Sequence, residues 1–177
     1  DGIYIMKKKF LFIFSIIILF FIVISIYFIY SLPSGNTVES REKILNSSIS
    51  KGEDWRILKE IEIDEYIISA GYSTDNKVTL AIFEPTENGK YKFKSSTNRN
   101  NDDIIISGTN INGNWYDLIW FNGAKTEYAE ITYTIDGNKE SPIIYNTKDM
   151  DIIYYKNLAK DYSINVTYYD SYGNKYE

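Results

Sequence analysis

From Trp55 onward the chain is cut into short apolar runs by Gly, Asn and Asp at intervals of about 8–12 residues, and this punctuation decides what it can fold into. The runs are Arg56–Ile63, Tyr66–Ser73, Lys77–Glu84, Lys90–Ser96, Asp103–Thr109, Asn114–Phe121, Glu127–Ile135, Ser141–Asn146, Asp151–Lys156 and Tyr162–Tyr169. Only the first is also compatible with a helix, since no window beyond Trp55 keeps a helical period over three turns. Several runs alternate. Val78, Leu80 and Ile82 share one face of their run, and Ile164, Val166 and Tyr168 lie opposite Ser163, Asn165 and Thr167. One buried and one wet face is the mark of antiparallel sheets. The expected fold is therefore all-β, an antiparallel two-sheet sandwich over residues 55–177.

The N-terminal part obeys a different rule. Phe10 to Tyr30 is an apolar run of 21 residues, broken only by Ser15 and Ser25. As a helix it would extend roughly 31 Å, the thickness of a bilayer's hydrocarbon core. Lys7, Lys8 and Lys9 precede it, and no basic residue follows until Arg41. That asymmetry holds residues 1–9 in the cytoplasm and exports the rest. Tyr27 and Tyr30 fall at the expected outer interface. The run exceeds a cleavable signal's core, and Pro33 stands where cleavage would occur, so residues 10–30 read as a signal-anchor contacting the lipid bilayer. Asp1 to Ile5 precede Met6, the natural-looking start, and are set aside. Residues 31–54 are polar and read as a juxtamembrane linker able to hold a short helix.

The stretch "ITYTIDGNKESPIIYN", with "INVTYYDSYGN" after the next strand, resembles the closing half of bacterial Ig-like surface domains. The whole layout is similar to small single-pass proteins of Bacillota with an extracytoplasmic Ig-like β-sandwich. The resemblance covers residues 127–174 and implies an Ig-like architecture at the cell envelope. It carries no activity with it.

Composition narrows the chemistry. Phe, Tyr, Met, Ile, Asn and Lys total 90 residues, which points to an AT-rich genome and makes any single Tyr or Asn weak evidence of function. The chain has no His and no Cys, which removes catalytic triads, thiol nucleophiles and the usual zinc sets. Residues 31–177 hold 16 Lys plus Arg against 23 Asp plus Glu, a net charge of −7 that disfavours nucleic acid. Asp136–Glu140 and Asp170–Asn174 offer oxygen ligands, but neither matches a calcium loop, and Asp, Asn and Gly are ordinary turn residues. No cofactor and no metal site is expected.

Two surfaces remain. Lys90, Lys92 and Lys94 alternate with Tyr91 and Phe93, so they form either a stripe for an anionic ligand or a lysine-guarded edge. Asn122-Gly123 signals a two-residue turn that would pair 114–121 with 127–135. In that register Tyr116, Leu118, Trp120, Ile131 and Tyr133 form the core side. Trp115, Ile119, Phe121 and Tyr128 form a second apolar face, either covered by another element or exposed as a binding face.

The functional expectation is a membrane-anchored extracytoplasmic binding module without catalytic activity, contacting a protein or an envelope polymer. A carboxylate-dependent enzyme acting on cell-wall glycans and a structural subunit of a membrane complex are the alternatives. Protease added outside intact protoplasts is expected to digest residues 31–177, and full protection would invert the topology.

Overall fold

The computed structural model describes residues 13–25, 34–49, 53–100, 104–122, 126–157 and 161–176, and the chain divides into two compact units, Asp1–Pro33 and Ser34–Glu177. In the first unit residues 13–25 form helix α1. Residues 1–9, 10–12 and 26–30 of the expected tail and anchor lie outside the described residues. Among the described residues, no helix is long and apolar enough to cross a membrane.

The second unit is mostly β. It holds helix α2 (Val38–Ser48) and strands β1 (Trp55–Ile63), β2 (Tyr66–Ser73), β3 (Lys77–Pro85), β4 (Tyr91–Asn100), β5 (Ile104–Ile111) and β6 (Asn114–Phe121). These are followed by β7 (Tyr128–Ile135), β8 (Asn138–Lys139), β9 (Ile143–Asn146), β10 (Ile152–Asn157), β11 (Tyr162–Tyr169) and β12 (Lys175–Tyr176). All pairings are antiparallel. Sheet A runs β1-β2-β3-β4, sheet B runs β10-β6-β5, and sheet C runs β12-β11-β7-β8 with β9 also on β7.

Three apolar layers join these elements. Ile68, Leu80 and Ile82 of sheet A pack on Leu118, Trp120 and Ile152 of sheet B. Ile119 and Phe121, on the other face of sheet B, pack on Ala129, Ile131 and Tyr133 of sheet C. The far face of sheet A, with Trp55, Ala81 and Phe83, receives Leu45 of α2. The order is helix, sheet A, sheet B, sheet C. The expected all-β antiparallel fold is what the unit shows; its sheets number three rather than the expected two, and sheet A is a plain meander rather than the interleaved strand order of an Ig domain. The cause is β6. Tyr116, Leu118 and Trp120 are apolar on one face and Ile119 and Phe121 on the other, so two sheets are needed to cover it.

The expected hairpin between 114–121 and 127–135 is also corrected. β6 pairs with β5 on one side and β10 on the other, while β7 pairs with β11 and with β8 and β9. The turn that closes on β6 is Asn112-Gly113, where both φ angles are positive, at 50° and 82°. Gly123 lies outside the described residues. Because the chain passes from sheet B to sheet C after Asn122, Ile131 and Tyr133 meet Ile119 and Phe121, the face opposite to the one the hairpin register implies.

The segment expected to be a linker is part of the folded body from Ser34. Thr37 caps α2 by accepting from the Ser40 amide at 3.2 Å. Leu45 is fully buried, and the Glu42 carboxylate accepts the Ile57 amide at 2.9 Å. The strongest tie is ionic. Arg41 donates to both carboxylate oxygens of Glu60, at 2.7 and 2.5 Å, and to the Gly35 carbonyl at 2.5 Å. Ser69 donates to the same Glu60 at 2.5 Å. A β-bulge makes this possible. Ile57 pairs with Gly71 and Lys59 with Ala70, so Leu58 is the extra residue. Before the bulge Trp55 and Ile57 face the helix, and after it Glu60 does, while Ile61 and Ile63 turn to sheet B.

Removing one member of a buried, bidentate pair strands the other charge. Arg41→Ala is expected to lower unfolding free energy by about 3 kcal/mol. The double variant Arg41→Met/Glu60→Leu should lose much less, and urea denaturation of the full chain in detergent measures both.

Candidate functional site

The layer between sheets B and C holds the unit's most unusual chemistry. Most of it is aliphatic and aromatic, yet Asp117 of β6 points into it and is 2 % exposed. No cation pairs with it in the described network. Instead three neutral donors reach its carboxylate: Tyr162 Oη at 2.7 Å, Trp115 Nε1 at 3.3 Å and Asn157 Nδ2 at 3.3 Å. Trp115 Nε1 also donates to Tyr162 Oη at 2.9 Å. The donors come from β6, β10 and β11, so the carboxylate ties sheet B to sheet C. Gly108 of β5 makes room for this. A Cβ there would sit 2.3 Å from Trp115 Cζ2, so only glycine lets the indole come this close while its N–H reaches Asp117 and Tyr162.

Beside this network lies Tyr133 of β7, 3 % exposed and stacked on Tyr155 at 4.4 Å. Its hydroxyl is buried without a hydrogen-bond partner. Burial chiefly, then the nearby Asp117 charge, raises its pKa well above the ordinary tyrosine value. Burial, then its bond to Asp117, raises Tyr162 likewise.

Tyr133 also lines a slot of about 180 Å³ with Ile119, Ile131, Ile143, Tyr145, Ile153, Tyr154 and Tyr155. The slot is the inside of an arch. β9 is on the edge of sheet C and β10 on the edge of sheet B, and a 3-10 turn at Thr147–Asp149 joins them. Thr147, fully buried, donates to the Thr126 carbonyl at 2.7 Å and accepts from Thr126 Oγ1 at 3.0 Å. The arch is therefore laced to the segment that crosses from β6 to β7.

The residues singled out from the sequence are scattered. Ile119 and Phe121 are buried in the B–C layer, at 1 % exposure each. Trp115 is 44 % exposed at its end, and Tyr128 stacks on Tyr169 on the outer face of sheet C, centroids 4.7 Å apart. They form no shared surface; another element covers the second face of β6. The lysines are separated too. Lys92 pairs with Glu84 at 3.0 Å. A bulge opposite Ile82 and Phe83 turns Lys94 toward the Asn110 carbonyl at 2.5 Å and the Tyr66 ring at 4.8 Å. Lys90 lines a depression with Glu62, Glu65 and Glu87. Asp136-Gly137 and Asp170–Asn174 are turns, the latter closed by the Asp170 carboxylate on the amides of Tyr172 and Asn174. The slot escaped sequence reasoning because its walls come from β6, β7, β9 and β10, whose stacking no local pattern encodes.

No family model, curated protein or solved structure matches this chain.

Asp117→Leu takes away the acceptor shared by Tyr162, Asn157 and Trp115 and is expected to cost about 3 kcal/mol, while Asp117→Asn, which keeps an acceptor, costs less. Tyr133→Phe removes an unpaired buried hydroxyl and should stabilise by about 1 kcal/mol at neutral pH. Tyrosines raised in the fold contribute stability below the unfolded value of about 10, and it is lost as pH rises beyond that. The Tyr133→Phe chain should therefore lose less stability in alkaline denaturation than the parent.

Proposed function

We propose that this chain is a membrane-anchored extracytoplasmic interaction module that works by contact rather than catalysis, with the slot between β9 and β10 as its contact site. The anchor reading rests on the apolar run from Phe10 to Tyr30 and the lysines before it. The contact reading rests on one observation: an apolar slot whose rim holds exposed large side chains. Ile143 is 42 % and Tyr154 53 % exposed, and both line the slot. Apolar area left in water beside a concave site supports partner binding. A largely apolar rim suits a protein better than a polar wall glycan, most of whose hydroxyls would lack partners there.

A photo-crosslinking residue in place of Tyr154, which lines the slot and is exposed, in cells making the full chain, is expected to form discrete adducts. The same residue in place of Asn165, exposed on the outer face of sheet C, should form none. Identical or absent adducts at the two positions would remove the reading.

A further inference from the structure

We infer that the slot receives one aromatic side chain of an extended, basic peptide segment that lies along the unpaired edge of β10. This rests on the contact-module reading and names its partner's chemistry. Four observations carry it.

The first is size and lining. A cavity of about 150 Å³ walled by aliphatic and aromatic groups admits one benzene ring. This slot is about 180 Å³ and is walled by four isoleucines and four tyrosines. Tyrosine edges and faces favour a ring over an aliphatic chain of equal volume.

The second is backbone. Among the described residues β10 pairs with β6 and β9 with β7, so each has a side without a ladder partner there, flanking the slot. The edges of sheet A are interrupted by bulges at Leu58 and Lys94, a common guard against strand addition. β10 runs six residues in unbroken register with no proline. An added strand there would place alternate side chains toward the slot.

The third is charge. Asp149 and Asp151 lie close enough to Tyr145 to raise its pKa, burial being the larger cause. Asp149 is exposed, and Asp151 is engaged by Lys59 at 3.2 Å. A Lys or Arg next to the inserted ring would meet this carboxylate end.

The fourth is the unmet donor. Tyr133 lines the slot, and its buried hydroxyl has no acceptor. A docked segment that shifts the Tyr133 ring would bring this hydroxyl, sealed from solvent in the free fold, to one of the segment's own oxygens.

The test is fluorescence anisotropy with the full chain in detergent micelles. The probe is a labelled strand-forming octapeptide of Val and Thr with a central Lys-Phe-Lys. Saturable binding is expected. The Phe→Ala peptide should bind about tenfold more weakly, the loss expected for one buried ring. The Lys→Glu peptide should also weaken, with the difference shrinking in Asp149→Asn. Ile143→Trp, which fills the slot from its exposed rim, should abolish binding without lowering the melting temperature. Tyr133→Phe should raise melting temperature and weaken binding, a pairing that a purely structural tyrosine does not produce. Equal binding of the Phe and Ala peptides, or binding indifferent to Ile143→Trp, overturns the inference. So does tyramine competing as well as the peptide, which would mark a small-molecule site. If no peptide binds while Tyr154-position adducts persist and vanish in Ile143→Trp, the peptide is wrong and the contact site stands. If those adducts are absent as well, both fall.

Discussion

A strand that is apolar on both faces has to be covered twice. β6 is that strand: Leu118 and Trp120 face sheet A, while Ile119 and Phe121 face sheet C, and all four are essentially inaccessible. Burying each such side chain contributes about 1.5–3 kcal/mol, so neither face can be left to water in a marginally stable domain. Everything else in the unit follows from satisfying that demand. Sheet B needs only three strands because its role is to be interior. Sheets A and C are wider because each must cover it and still meet solvent or, for sheet A, the helix.

Double coverage makes the chain pass between sheets B and C three times, from β6 to β7, from β9 to β10 and from β10 to β11. Crossings carry backbone that no sheet ladder satisfies. Thr126 and Thr147 meet that need for each other, joining the first two passages at one buried point, and the Thr147 amide reaches the Glu127 carbonyl at 3.1 Å. The Asp117 network does comparable work at the other end of the same layer. Apolar contacts alone would let two sheets slide. A buried carboxylate that needs Tyr162, Trp115 and Asn157 in place admits one register, since a shift would leave it unmet. The layer is thus fixed at both ends by polar atoms and left apolar between them, where the slot lies.

Strand positions were legible because alternation and turn residues are local signals. The runs Tyr66–Ser73, Asn114–Phe121 and Tyr162–Tyr169 coincide with β2, β6 and β11, and the shared faces of Val78, Leu80, Ile82 and of Ile164, Val166, Tyr168 are those that pack inward. Pairing was not local. Asn112-Gly113 and Asn122-Gly123 are the same dipeptide flanking one strand, and turn chemistry cannot rank them. The fact that β10 already occupies the second edge of β6 can, but it is known only from the fold. The two-faced apolar pattern of "YDLIWF" was the available clue that β6 is interior. The lysine alternation failed because bulges break the period of two without a sequence marker. Helix α2 reads as a linker because one Leu and one Arg do most of its docking. Its value depends on Glu60, which only the Leu58 bulge brings round.

The abundance of tyrosine, 17 residues, has a physical use here beyond codon bias. Three thin layers leave few positions far from a polar atom, and tyrosine joins an apolar body to a hydroxyl that can reach one. Tyr116 donates to Asp64 at 2.9 Å, Tyr162 to Asp117 at 2.7 Å and Tyr169 to Glu130 at 2.9 Å. In each case the ring packs while the hydroxyl is held by a carboxylate. Tyr133 has the ring contacts, stacked on Tyr155 and tilted against Tyr162, without the acceptor. Phenylalanine would keep that packing and spare the hydroxyl's desolvation, so folding alone does not account for tyrosine there. A residue that costs stability in the free fold and lines its apolar slot is best explained by something that enters the slot and completes it.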